Sequence, residues 1–166
     1  MNHHINIFAT SLVACALLAC GAKRTAAAPD SGFAAMQERG HTAMGVDQYT
    51  STHTFDALPD GGRIALVRDV DDTLGVQQIR AHLRLIQHAF ESGDFSTPEF
   101  VHMKQMPGTA VMTQKRAAIS YTYTDLARGG ELRIATRDSD ALAAIHEFMD
   151  AQRRDHHAMG AGMVAP

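Results

Sequence analysis

Tryptophan is absent from this chain of 166 residues, cysteine occurs twice, and neither Lys nor Arg forms a run. Both cysteines fall within the first 20 residues, so nothing beyond them can form a disulfide, a thiolate metal site or a nucleophilic thiol. With a net charge of -3, a pI near 6.3 and no basic patch, nucleic acid is excluded as the main partner. Long apolar runs are missing as well. The longest, Ile5 to Ala19, is too short to span a bilayer with its flanks. Several catalytic signatures are lacking: Gly-x-Ser-x-Gly, a phosphate-cradling loop, a dinucleotide fingerprint, His-Glu-x-x-His and paired Cys-x-x-Cys. Enzymology finds little support in the chain, and a hydrolase using His and Asp is a third reading. Ten His and nine Met are plentiful instead.

The apolar run ends Leu17-Leu18-Ala19-Cys20-Gly21, which resembles a bacterial lipobox. The resemblance implies cleavage before Cys20 and a diacylglycerol on its thiol, anchoring the protein to a membrane. Gly21, rather than Asp, implies the outer membrane, on the periplasmic side of the cell envelope. The n-region departs from the pattern, with His3 and His4 where Lys or Arg is usual. On this reading residues 1–19 are a signal peptide, residues 20–30 carry the lipid and an Ala-rich tether, and residues 31–155 are one domain. Residues 156–166 are a flexible His/Met tail.

Within the domain a pattern occurs twice. Thr54 to Leu66 returns 68 positions later as Thr122 to Ile134, with Leu58/Leu126, Gly61/Gly129 and Gly62/Gly130 identical. Each copy predicts a β-hairpin, alternating apolar residues on either side of a Gly-Gly turn that supplies positive φ. Strands are expected over 49–58 and 63–68, with His53, Phe55, Ile64 and Leu66 on one face. Ile119, Tyr121 and Tyr123 alternate the same way in the second copy.

A helix follows each hairpin. Asp71-Asp72-Thr73 starts the first, whose seam is Ile79, Leu83, Ile86 and Phe90, and Gly93 closes it. Asp138 caps the second, with a seam of Leu142, Ile145, Met149 and Gln152. A weaker helix is expected over 31–44, with Phe33, Met36 and Met44 on its apolar side. The two ββα units (49–93 and 119–155) are joined by a long connector, 94–118, broken by Pro98 and Pro107, with a short helix from Thr109 to Arg116. The order predicts an α+β fold: a four-stranded antiparallel sheet with two helices on one face, a circularly permuted ferredoxin-like arrangement. The alternative is a different helix-on-sheet sandwich of the same two halves.

Imidazole and thioether together suit copper, thioether preferring Cu(I). His102, Met103 and Met106 form a compact donor cluster on the connector, and His156, His157 and Met159 another on the tail. His82 sits at the edge of the first helix seam, His53 on the inward side of strand one, and His146 one turn before Asp150. Convergence of His53, His82 and His146 between sheet and helices would give a metal or acid-base site. The plainer reading makes each a boundary histidine bonded to backbone or carboxylate, and makes the methionines core filler.

At Met44 to Gln48, Thr52 to Phe55, Ile79 to Leu83, Gly93 to Phe95 and Ile145 to Phe148 the chain resembles a group of small, exported bacterial proteins with no assigned activity. The resemblance covers nearly all of the region after the signal and implies an envelope location. Sequences of this look are sometimes labelled aspartate carbamoyltransferase. That activity is excluded here, because the chain is too short for such an enzyme and lacks its Ser-Thr-Arg-Thr phosphate loop. The expectation is therefore a lipid-anchored envelope protein that binds a transition metal, copper first, through some of His102, Met103, Met106, His82, His53 and His146. The alternative is a structural or interaction lipoprotein without metal, docking a protein partner or a second copy through the open face of its sheet.

Overall fold

The computed structural model describes residues 31–158. The signal segment, Cys20, the tether and Met159 and Met163 of the tail lie outside the described residues. Among the described residues the α-helices and strands follow in the order α1 (Ser31–Met44), β1 (Ser51–Leu58), β2 (Gly61–Arg68), α2 (Thr73–Ser92), α3 (Ser96–His102), α4 (Thr109–Gln114), β3 (Ile119–Leu126), β4 (Gly129–Thr136) and α5 (Ser139–Asp155). All strand pairs are antiparallel, in the order β1-β2-β4-β3. A ferredoxin-like sheet has this order after circular permutation, as the repeat predicts.

The register confirms the inward face. His53 stands opposite Leu66 and Phe55 opposite Ile64; Tyr121 and Tyr123 stand opposite Ile134 and Leu132. Each helix crosses to the other repeat: α2 lies over β3 and β4, α5 over β1 and β2. Neither unit could bury its own sheet alone. The Gly-Gly pairs serve this exchange rather than the turns, which are made by Pro59-Asp60 and Ala127-Arg128. A Cβ on Gly62 would come within 3.0 Å of Ile145 and Met149 on α5, and one on Gly130 within 3.1 Å of Leu83 on α2. The glycines let each helix approach the opposite hairpin.

Capping follows the sequence. The Asp72 carboxylate accepts from the Gly75 N–H at 2.9 Å, and Gly93 ends α2 in the left-handed region at φ 84°. Ile79, Leu83, Ile86 and Phe90 are all buried. The buried face of α5 is wider than the expected seam. It includes Ala141, Ala144 and Phe148 beside Ile145, Met149 and Gln152, while Leu142 is only half-buried. The connector supplies the reason: it folds into α3 and α4 and buries Phe95, Val101, Met106 and Met112, with α4 packed along α5. Pro98, read as a breaker, sits in the first turn of α3, where its missing N–H is no loss. At the other boundary β1 starts at Ser51 rather than Tyr49. Residues Gln48–Thr50 form a 3₁₀ turn capped by Asp47, whose side chain accepts from the Tyr49 N–H at 2.8 Å.

The far face of the sheet is polar. By register it carries Thr52, Thr54, Thr122 and Thr124, with Arg63 bridging Asp56 at 2.9 Å and Glu131 at 2.8 Å.

Candidate functional site

His53 stands near the start of β1 on its inward face, opposite the buried Leu66. Three more histidines arrive there from different elements. His82 comes from α2 beside Leu83, His102 from the last turn of α3, and His156 caps the C-terminus of α5. All four line one cavity of about 80 Å³, floored by Phe55, Leu83, Ile86 and Phe90 and flanked by Met44 at the end of α1.

The ring of His156 lies 4.9 Å from that of His53 and nearly parallel, 5.3 Å from Phe55, and perpendicular to His102 at 5.1 Å. His102 is held from both sides. Its Nδ1 is 2.8 Å from Asp155 Oδ2 and its Nε2 is 2.9 Å from the Gln152 amide. Lys104 Nζ reaches the same Asp155 oxygen at 2.8 Å.

Burial governs the charge state here. It pushes His53 and His82 down to about 4, and His156, crowded also by His53 and His102, down to about 2. Burial lowers His102 too, although Asp155 works the other way. In the His102–Asp155 contact the imidazole Nδ1–H donates to the carboxylate. The Ala43 carbonyl beside His82 works against the effect of burial there. His53 Nε2 is buried without a hydrogen-bond partner among the described residues.

The remaining candidates lie elsewhere. His146 donates from Nε2 to the Leu58 carbonyl at 2.8 Å, at the hairpin end of the sheet. Met106, 2% exposed, fills the main core beside Met112 and Phe148, whereas Met103 is 69% exposed. Of the six proposed metal ligands the fold gathers His53, His82 and His102, and both nitrogens of His102 are already engaged. Two residues were missed as members of the site. Met44 was read as part of the apolar side of α1. His156 was assigned to the tail, yet it stands four residues after Gln152 and so continues the α5 seam, a spacing legible in the sequence. His157, also assigned to the tail, stacks on Phe33 with ring centres 4.4 Å apart.

The arrangement can offer neutral nitrogen lone pairs and a thioether to a small guest. The volume admits an ion or a molecule of a few heavy atoms; an engineered cavity of roughly twice that size holds a benzene ring. Among the described residues no group of three or more His, Cys, Asp or Glu stands ready to share one ion, and no helix is long and apolar enough to cross a membrane. Compared with known proteins, the chain matches no family model, no curated protein and no solved structure.

Proposed function

We propose that this protein is a non-catalytic binding module of the bacterial cell envelope, tethered through a lipid on Cys20, and that its cavity takes a soft transition-metal ion, copper first. The observation that carries the reading is the unpartnered Nε2 of His53, in a cavity that also presents His82 and Met44. Two neutral imidazoles and a thioether form a donor set suited to Cu(I), which accepts low coordination numbers and softer ligands than Zn(II). Because the histidines are already neutral at pH 7, binding releases no proton from them. The Ala43 carbonyl beside His82 is the kind of outer group that orients a ligating imidazole. His102 serves at one remove, seating His156 against His53.

The test is Cu(I) affinity of the mature protein, purified in detergent, against a chromogenic chelator. A stoichiometric site of sub-micromolar affinity is expected. It should weaken by about 10-fold or more in His53→Ala and His82→Ala, each a loss of at least ~1.4 kcal/mol. His146→Ala and Met103→Ala should leave it unchanged. Binding no stronger than background would reject the metal and leave a docking lipoprotein.

A further inference from the structure

Besides the seam it buries, α2 carries a second apolar stripe on the side away from the sheet. Leu74 is 65% exposed and Leu85 69% exposed, while Ile79, Leu83, Ile86 and Phe90 are buried. At about 100° per residue, Leu74, Ala81 and Leu85 fall within about 40° of one another, roughly opposite that seam. Gln78 lies beside them, near Gly45 at the end of α1. Two more apolar side chains extend the stripe at its N-terminal end. The Asp69 N–H donates to the Thr50 carbonyl at 3.0 Å, which brings the turn carrying Tyr49, 67% exposed, against the loop carrying Val70, 47% exposed. Single exposed leucines are ordinary on a protein surface, whereas a run of this kind marks a contact surface.

We propose that the stripe docks a second copy of this chain, α2 packing antiparallel against α2.

The spacing is self-complementary. A twofold axis level with the Ile79–Arg80 peptide sets Leu74 of each copy against Leu85 of the other, and Gln78 against Ala81. Ala81 has no bulk to hold the helices apart, so their axes can approach to the ~8–10 Å of close helix packing. The antiparallel pair also sets the N-terminal end of each helix against the C-terminal end of the other, which suits their dipoles.

Charge favours a like partner over a charged one. No Asp, Glu, Lys or Arg lies at 74, 78, 81 or 85. The arginines of α2 are turned aside to Asp125, Arg80 at 3.3 Å and Arg84 at 2.9 Å. The far face of the sheet suits a second copy less well. Its charges are already met within the chain, Arg63 by Asp56 and Glu131, and Arg133 by Asp60, so pairing there would desolvate ions for no new bond. A strip one helix wide is smaller than the ~800 Å² per partner of a standard interface, so the dimer is weak and exchanges readily.

The experiment is disulfide trapping in the full chain, in detergent, with Cys15→Ser and Cys20→Ser so that each introduced cysteine is the only thiol. Leu74→Cys and Leu85→Cys are oxidised separately and as a mixture. The mixture is expected to yield a dimer cross-linked from 74 to 85. Either variant alone should yield at least about 5-fold less, because its two thiols would stand about 16 Å apart along the helices, against a Cα separation of about 7 Å at most. Leu85→Glu, without any introduced cysteine, should raise the dimer dissociation constant about 10-fold or more in sedimentation, since it puts a charge into the contact. Its Tm should not move, because the side chain lies outside the core. Equal cross-linking of Leu74→Cys alone, no cross-link in the mixture, or a dissociation constant unmoved by Leu85→Glu would each overturn the proposal. With copper and the lipid both absent, the outcome is independent of the metal and anchor readings.

Discussion

The imidazoles of His53 and His156 lie face to face, 4.9 Å between ring centres, one from the first strand and one from the end of the last helix. Two such rings cannot both be protonated at this separation in a buried setting, and this ties stability to pH. Folding lowers the pKa of His53 and His82 to about 4 and of His156 to about 2, from an ordinary 6.5. Between pH ~6.5 and ~4 the unfolded chain has taken up protons that the folded chain refuses, so the unfolded state binds more protons and stability rises with pH. The contribution is complete above pH ~6.5 and drains away below it. Each pKa unit is worth about 1.4 kcal/mol. A loss of several kcal/mol by pH ~5 is expected, read as a fall in Tm of about 10 °C from its value at pH ~7.5. His156→Phe keeps the stack, removes one titrating ring, and should flatten the slope by about a third. A Tm that is level across this range would contradict the burial of these histidines.

Asp155 is the second lever on this site. It accepts from His102 Nδ1 and from Lys104, while the His102 side chain is 1% exposed. Asp155→Ala leaves a buried imidazole N–H unmet, at a cost of about 1–3 kcal/mol. It also removes the clamp that holds His102 against His156. Lower stability in chemical denaturation is expected, together with shifted ring resonances of His156. Lys104→Ala, which touches only the carboxylate, should do neither.

The repeat made the sheet, the helix order and the inward face readable, because alternation about Gly-Gly and a seam such as Ile79, Leu83, Ile86 and Phe90 are set by local periodicity. What escaped reading depends on contacts far apart in the chain. In the connector the short helix from Thr109 was legible and is α4, whereas α3, with 7 residues, is too short for a seam to stand out. They fold because Phe95, Val101, Met106 and Met112 find α5 and the sheet waiting. The same packing widened the buried face of α5 and hid Phe148 from a one-stripe reading. His53 and His82 could be placed on inward faces, but their meeting with His156 required the C-terminus of α5 to lie along β1, which no local pattern encodes.

Phe148 tests that wider face. It is fully buried and meets Phe90 and Phe95 edge-on, each with ring centres 5.9 Å away. Phe148→Ala should cost about 3–5 kcal/mol, since the rings around it cannot collapse into the gap. Leu142→Ala, on the expected seam but only half-buried, should cost much less. Equal losses in urea denaturation would restore the narrower seam.

Gly62 and Gly130 hold equivalent places in the two repeats, yet their surroundings predict unequal responses to alanine. At Gly62 the new methyl would stand 3.0 Å from Ile145 and Met149, both 0% exposed, so a closed layer has to move. Overpacking of that kind costs about 1–3 kcal/mol. At Gly130 its closest approach, 2.8 Å, would be to the Tyr123 ring, which is only half-buried and can swing outward, with Leu83 on α2 next at 3.1 Å. The swing would break the bond from Tyr123 Oη to Asp125 and the stacking of Arg84 over the ring at 4.5 Å, both at the surface and each worth less than a core contact. Gly62→Ala should therefore lower Tm more than Gly130→Ala. Because the chain lacks Trp and has 3 Tyr, intrinsic fluorescence reports the second change directly: Gly130→Ala should alter tyrosine emission in the folded state, and Gly62→Ala should not. The reverse order of Tm would mean that α2, not α5, is the more tightly seated helix.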